Sequence, residues 1–426
     1  MRLNFSIVKN FTVALLLLLL GGVAGYRYSE IGFLPFGVKI PFLSESTILN
    51  GNGSALSQIN GNKNNHVAKE ADFDVFWEVW TLLERDYLDQ EKIDASKMVD
   101  GAISGMTSSL EDPYTVYLPP KNNQRSGEDL AGSFYGVGIE LGYINETLAV
   151  ISPLEGTPAD KAGIKAGDLI IHVKDAAKDL DEDTNGWSLS KAVEEIRGKK
   201  DTEVILTLFR ENHNDNNFFE VPIKRGEVVV KSVELEFIEH NGKKVAHLRL
   251  MRFGERTNGE WDQLIREIVA RKDGIDGIVF DMRNNPGGFF DTSIDVASEF
   301  IKKGTVVSQK GRFASKDFKA KGNARLASIP TIVLVNRGSA SAAEIVAGAL
   351  RDNLGIKLVG EKTFGKGTVQ DRREVSNGGG LHVTIGRWIL PKGDWIHDEG
   401  IPVDVEVQDD FNTEEDEVLL RGIEEL

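Results

Sequence analysis

Ser341 lies where one kind of local structure gives way to another. The apolar run Thr331-Ile-Val-Leu-Val-Asn336 reads as a buried strand, and Ala342-Ala-Glu-Ile-Val-Ala-Gly-Ala-Leu350 is a good helix former. A hydroxyl at that junction meets free backbone N–H groups and the positive end of a helix dipole, and both favour developing negative charge. Gly338, Ala340, Ala342 and Ala343 are small enough to let a peptide backbone approach. A serine hydroxyl needs a base to attack at neutral pH. Lys366, between Gly365 and Gly367, offers one if burial holds its amine neutral. The plain alternative for Ser341 is a helix N-cap, and Ser339 is its nearest competitor as nucleophile.

Other chemistries lack their residues. The chain has no cysteine, so thiol catalysis, disulfides and thiolate metal sites are excluded. None of the seven histidines stands in a His-Glu-x-x-His pattern, and no Gly-x-Ser-x-Gly elbow occurs. Gly360-Glu-Lys-Thr-Phe-Gly-Lys366 begins like a P-loop. It is followed by Gly367 rather than Ser or Thr, and Thr368 to Val375 alternates like a strand instead of opening a helix. Asp179, Asp181 and Asp183 are spaced like calcium ligands, but Thr184 and Ser190 replace the glycine and glutamate such a loop needs. A solvated acidic loop is expected there.

Together, Ser339-Ala-Ser-Ala-Ala-Glu344, Phe364-Gly-Lys-Gly367 and Asp281-Met-Arg-Asn-Asn-Pro-Gly-Gly288 resemble the signature blocks of the C-terminal processing peptidases, or tail-specific proteases. The resemblance runs from about Ala71 to Val407, with Ala343 where the family often has serine. It implies Ser341 as nucleophile, Lys366 as base and Gln370 as the residue that orients the lysine. It also implies an oxyanion hole from the amides of Gly287, or its neighbour Gly288, and Ala342. The implied fold is α/β: a crotonase-like mixed core carrying an inserted PDZ domain and an N-terminal helical segment. No metal, nucleotide or other cofactor is implied. Serine–lysine sites are a known variant of the triad logic, so no histidine is required.

Phe134-Tyr-Gly-Val-Gly138 opens the segment that looks like a PDZ domain. A glycine-containing loop exposes N–H groups that can capture a peptide's terminal carboxylate, after which the peptide adds as a strand to the neighbouring edge. Strands are expected at Leu148–Ser152, Asp168–Val173 and Glu203–Phe209, and helices at Pro158–Gly163 and Ser190–Arg197. Downstream, strands near 246–250, 277–281, 331–336 and 358–360 alternate with helices near 258–270, 292–301 and 341–352, the pattern of an α/β core. The acidic tail from Asp404 should end in a helix. Upstream, Phe73, Phe76, Trp77, Trp80, Leu83 and Tyr87 recur at helical spacing and read as a core-packing stripe, with a second helix near 96–109.

At 426 residues the chain should hold several domains. The expected limits are a signal peptide or membrane anchor at 1–26, a linker rich in Asn, Gly and Ser at 27–70, a helical segment at 71–127, the PDZ domain at 128–228 and the peptidase core at 229–426. Arg2 and Lys9 precede an apolar run, Phe11 to Tyr26, that suits either export signal or anchor and would send the rest across a membrane. A net charge of −16 argues against nucleic acid as a partner. The expected partners are proteins or peptides with free C-termini, the membrane if the anchor is retained, and a second copy of the chain as an open option. The expected location is the cell envelope outside the cytoplasm. The competing reading is a tethered PDZ adaptor with an inactive core.

Overall fold

The computed structural model describes residues 71–211, 217–409, 413 and 415–426. The expected signal or anchor, and all but the end of the sequence before the first helix, lie outside them. No helix among the described residues is long and apolar enough to cross a membrane. The chain divides into two compact units, Met1–Ile93 and Asp94–Leu426.

In the first unit, the described residues form the helix Asp74–Asp86 and a short turn of 3-10 helix at Gln90–Lys92. The helix forms where the spacing predicts it, but its aromatic stripe is not a core. No residue of the helix is buried, and Phe73 stays 48% exposed and Trp77 38%. The rings pack on one another instead, Phe76 on Trp77 at 4.9 Å and Trp77 on Trp80 at 5.9 Å. Helical periodicity shows that a face is apolar without showing what covers it.

The second unit is built around a six-stranded sheet. Its order is Val233–His240, Lys243–Leu250, Gly277–Asp281, Thr331–Val335, Leu358–Gly360 and Val405–Glu406. The first pair is antiparallel and every later pair parallel. The central strands are covered on both faces, so they read as continuous apolar runs rather than alternating ones. All five residues of Gly277–Asp281 are buried. The helices Thr257–Ala270, Phe290–Ser298 and Ala342–Leu354 follow three of these strands. Ala342 to Leu350 are all buried, so this helix is sunk in the core rather than lying on it. Its Gly348 is there for contact: a Cβ would lie 2.3 Å from the Leu390 side chain.

A second, five-stranded antiparallel sheet joins Val116–Leu118, Thr305–Gly311, Ser315–Lys319, Thr368–Glu374 and Gly380–Ile389. Most of it was not expected from the sequence. Two of its four pairings join strands far apart in the chain, Val116–Leu118 and Thr305–Gly311 each with Gly380–Ile389, and Gly380–Ile389 shows little burial alternation to announce it.

The strands Ser133–Gly136 and Gly226–Val229 lie side by side as the entry and exit of an inserted domain. Between them runs a second six-stranded sheet with its own apolar cluster, including Leu148, Val150, Ile170, Leu206 and Ile223. Glu203–Phe209 forms the expected strand, and the expected helices are Pro158–Lys161 and Leu189–Ile196. The acidic stretch is not a free loop. Leu180–Asp183 pairs with Leu169–Asp175, and Asp181 and Asp183 clasp the two ring nitrogens of His172 at 2.7 and 2.8 Å.

Candidate active site

Three neighbouring parallel strands, Gly277–Asp281, Thr331–Val335 and Leu358–Gly360, release their chains at the same edge of the sheet. Residues 282–289, 336–341 and 361–367 are those exits. Blocks far apart in sequence therefore meet at the carboxyl end of an α/β sheet, where such folds place ligands.

Ser341 stands at the N-cap of the helix Ala342–Leu354 with φ 55° and ψ −113°. A positive φ is strained for a residue with a Cβ, by about 1–3 kcal/mol, and persists only when neighbours enforce it. Here they do. The Ala340 N–H donates to the Asn285 carbonyl at 2.9 Å, and the Phe364 N–H donates to the Ser339 carbonyl at 3.0 Å. Ser339 is wholly buried: its hydroxyl donates to the Met282 carbonyl at 2.8 Å and accepts from the Asn336 N–H at 3.0 Å. That hydroxyl is fully used by the turn, whereas Ser341 is half-buried at its surface.

Glu344, to which the sequence assigned no role, joins the blocks. It is buried on the first turn of the helix. Its Oε2 accepts from the N–H of Ser341 at 2.8 Å and of Lys366 at 2.9 Å. Its Oε1 accepts from the Thr363 hydroxyl and the Gly365 N–H, both at 2.6 Å. One carboxylate thus holds the backbone of both Ser341 and Lys366. Burial pushes its pKa up, against the pull of those four donors. The signal was in the sequence: a lone acid in an otherwise apolar first turn needs partners.

Lys366 is half-buried, and among the described residues its Nζ makes no hydrogen bond or ion pair. Burial lowers its pKa, only partly offset by the negative charges of Glu344 and Asp112. A lysine shifted in this direction is closer to a usable base. Gln370 lies on the strand Thr368–Glu374, where its Nε2 donates to the hydroxyls of Thr368 at 2.9 Å and Thr384 at 3.1 Å. Among the described residues no hydrogen bond joins it to Lys366.

Gly287 packs directly on the turn that carries Ser341. With φ 96°, a Cβ there would lie 2.8 Å from Ser341 Cβ and 3.0 Å from the Ala342 nitrogen. The Gly287 N–H, however, donates to Asn285 Oδ1 at 2.9 Å. The N–H groups of its neighbour Gly288 and of Ala342 find no acceptor among the described residues, so these two are the free donors beside Ser341. Gly288 cannot be another residue, because a Cβ would lie 2.1 Å from the Phe253 carbonyl oxygen.

A second candidate site lies on the inserted domain. The Val137 and Gly138 N–H groups find no acceptor among the described residues, while both carbonyls are taken, by Ala159 and Leu154. Gly136 and Val137 are buried, Tyr135 is exposed, and the Phe134 ring carries the Arg197 guanidinium 3.8 Å from its centroid. The strand that follows, Ile139–Ile144, is an edge of its sheet and lies beside the helix Leu189–Ile196. Free N–H groups leading to an open strand edge are what strand addition by a peptide tail requires.

Comparison with known proteins places the chain in a family. Residues 244–407 match peptidase family S41, residues 126–208 match the PDZ domain, and residues 38–121 match the N-terminal domain of the activating protease CtpB. The chain is 35% identical over 383 residues to a carboxy-terminal processing protease, CtpA, of Bacillus subtilis, covering 90% of this chain and 78% of that one. It is 37% identical over 332 residues to a CtpA-like serine protease of Staphylococcus aureus, covering 77% of this chain and 63% of that one. A solved S41 protease from Bacteroides fragilis shares the fold, with a TM-score of 0.51, 17% identity, and coverage of 81% of this chain and 95% of its own. The chain is a serine-type peptidase of family S41, and belongs with the carboxy-terminal processing proteases.

Proposed function

We propose that the protein is an exported endopeptidase that selects protein substrates by their C-terminal tails and cleaves them through an acyl-enzyme on Ser341. Lys366 takes the hydroxyl proton as Ser341 attacks the peptide carbonyl, and returns it to the leaving amine. The amides of Ala342 and of the Gly287–Gly288 turn stabilise the oxyanion, with Gly288 the free donor in the observed conformation. Water then hydrolyses the ester. Gln370, on the strand that follows Lys366, orients the lysine amine. The Phe134–Gly138 loop takes the substrate's terminal carboxylate. The observation that carries this reading is the Glu344 carboxylate, which binds the backbone of Ser341 and Lys366 through one oxygen.

The working domain limits are 71–127, 128–228 and 229–426. Residues 1–26 are proposed to direct export, with or without retention in the membrane. The adaptor reading is disfavoured by kinship with serine proteases over most of the chain. Cleavage of a tail-bearing protein substrate by wild type and by Ser341→Ala tests the proposal. The variant should remain folded and lose cleavage; residual cleavage within tenfold of wild type would reject Ser341 as nucleophile, with Ser339→Ala the next variant to measure.

A further inference from the structure

The segment Glu111-Asp-Pro-Tyr114 has no part in the mechanism above, yet it folds against the residue proposed as base. Glu111 takes φ 55° and Pro113 stiffens the next step, so the chain turns sharply and presents Tyr114. The Lys366 Nζ lies 5.2 Å from the centroid of the Tyr114 ring. The same ring meets His397 at 5.8 Å, and His397 stacks on Trp395 at 5.1 Å with 15° between planes. Trp395 Nε1 donates to the Gly367 carbonyl at 2.9 Å, and the Gly367 N–H donates to His397 Nδ1 at 3.3 Å. The aromatic stack therefore closes back on the residue that follows Lys366.

Asp112 ties the same segment to the strands that carry Gln370. Its carboxylate accepts from the Tyr114 N–H at 3.0 Å and the Thr115 hydroxyl at 2.7 Å, and is further stabilised by the Thr384 hydroxyl. The Thr384 N–H donates to Thr115 Oγ1 at 3.1 Å, while Thr384 Oγ1 accepts from Gln370 Nε2 at 3.1 Å. A polar chain thus runs from Asp112 through Thr384 to Gln370.

We infer that Tyr114 and Asp112 are positioning residues for Lys366: the Tyr114 ring is the floor on which the amine rests, and Asp112 fixes that floor to the Gln370 strand. This rests on the reading of Lys366 as base. A neutral amine offers one lone pair, on a long flexible stem, and must aim it at the Ser341 hydroxyl. No hydrogen bond fixes this amine among the described residues, so a surface must. After proton transfer the ring face favours the ammonium that has formed. The charged and titratable groups around Lys366 are Glu344 from the serine helix, Asp112 and Tyr114 from this segment, and His382, with Arg372 beyond it, from the second sheet. His397 lies beside Gly367, and Asp398 acts on Tyr114.

The test is the pH dependence of kcat and KM for a tail peptide with the full chain, alongside its unfolding temperature. Tyr114→Leu should lower kcat by roughly 10- to 100-fold with KM nearly unchanged, the scale of a misplaced reacting group. Tyr114→Phe keeps the ring face and should restore most of that loss. Asp112→Asn removes a negative charge that favours the ammonium, so the acidic limb of the kcat profile should move to lower pH. A Phe variant as impaired as the Leu variant, or an unmoved limb in Asp112→Asn, would overturn the inference. If Lys366→Ala is inactive while Tyr114→Leu keeps wild-type kcat, this inference alone falls. If Lys366→Ala stays active, the base assignment falls with it.

Discussion

Two buried carboxylates, one in each folded lobe, are held in opposite ways. In the inserted domain Asp175 meets Arg225 at 2.6 Å, with both side chains wholly buried. That guanidinium also donates to the Ile196 carbonyl at 2.8 Å and the Thr202 hydroxyl at 3.0 Å, so charge is matched by charge. In the core, Glu344 has no bonded cation among the described residues. Its donors are a hydroxyl and three backbone N–H groups, two of them belonging to Ser341 and Lys366. A full ion pair stabilises or specifies a fold. A carboxylate held by neutral donors from the Ser341 turn and the Lys366 turn fixes their separation instead.

The contrast makes predictions that separate chemistry from stability. The largest effect should come from Lys366, the proposed base. Lys366→Arg should lower kcat by at least about a hundredfold, because a guanidinium stays protonated and general-base catalysis is worth roughly 10²–10⁴. In wild type, activity should rise with pH as the burial-depressed lysine loses its proton. The same depression has a stability consequence. Between the folded and unfolded pKa values the unfolded chain binds more protons, so stability rises with pH through that window. In Lys366→Met that rise should vanish, and pH-dependent denaturation would detect it.

Glu344→Gln comes next. An amide can accept with one oxygen only and sets its NH2 against backbone N–H groups. Activity should fall by about a hundredfold, the scale of a misplaced catalytic group. Stability should fall by only about 1–3 kcal/mol, the cost of an unsatisfied buried group. Arg225→Met should do the reverse. Breaking a buried pair costs about 3–5 kcal/mol, so the unfolding temperature should drop while kcat per folded molecule is kept. Equal kcat losses in the two variants would dissolve the distinction.

Much of this core could be read from the chain. Strands covered on both faces betray themselves as apolar runs, as Gly277–Asp281 did, and the strand-to-helix junction at Ser341 stands where the sequence puts it. What could not be read depends on pairing across long separations. The second sheet joins Val116–Leu118 to Gly380–Ile389, and no local pattern reports such a partner. The aromatic stripe of Asp74–Asp86 misled for the same reason. Periodicity gave the helix correctly but not its burial. At the site, residue types pointed to Ser341 and Lys366, whereas hydrogen bonding set Gly288 apart from Gly287 as the free donor. Glu344 and Tyr114 were visible as residues, but their roles lie in which loops they touch.

The smallest predicted effect concerns the tail. A peptide's carboxylate gains charge-assisted bonds from N–H groups such as those of Val137 and Gly138. Amidating the tail should weaken binding by roughly tenfold, the loss expected for one charged hydrogen bond. Gly138→Val should abolish that discrimination. A Cβ at Gly138, where φ is 81°, would lie 2.4 Å from Thr157, so the loop must move. Equal binding of free-acid and amidated peptides by the intact protein would reject tail capture while leaving the chemistry untouched.

The central claim is that Ser341 is a nucleophile activated by Lys366 and held to it by Glu344. The most direct measurement is covalent labelling by a serine-reactive phosphonate, with the modified residue mapped by peptide mass spectrometry. The adduct should sit on Ser341, be absent in Ser341→Ala, and form far more slowly in Lys366→Ala and Glu344→Gln. Labelling at another serine, or at Ser341 with an unchanged rate in Lys366→Ala, would contradict the account.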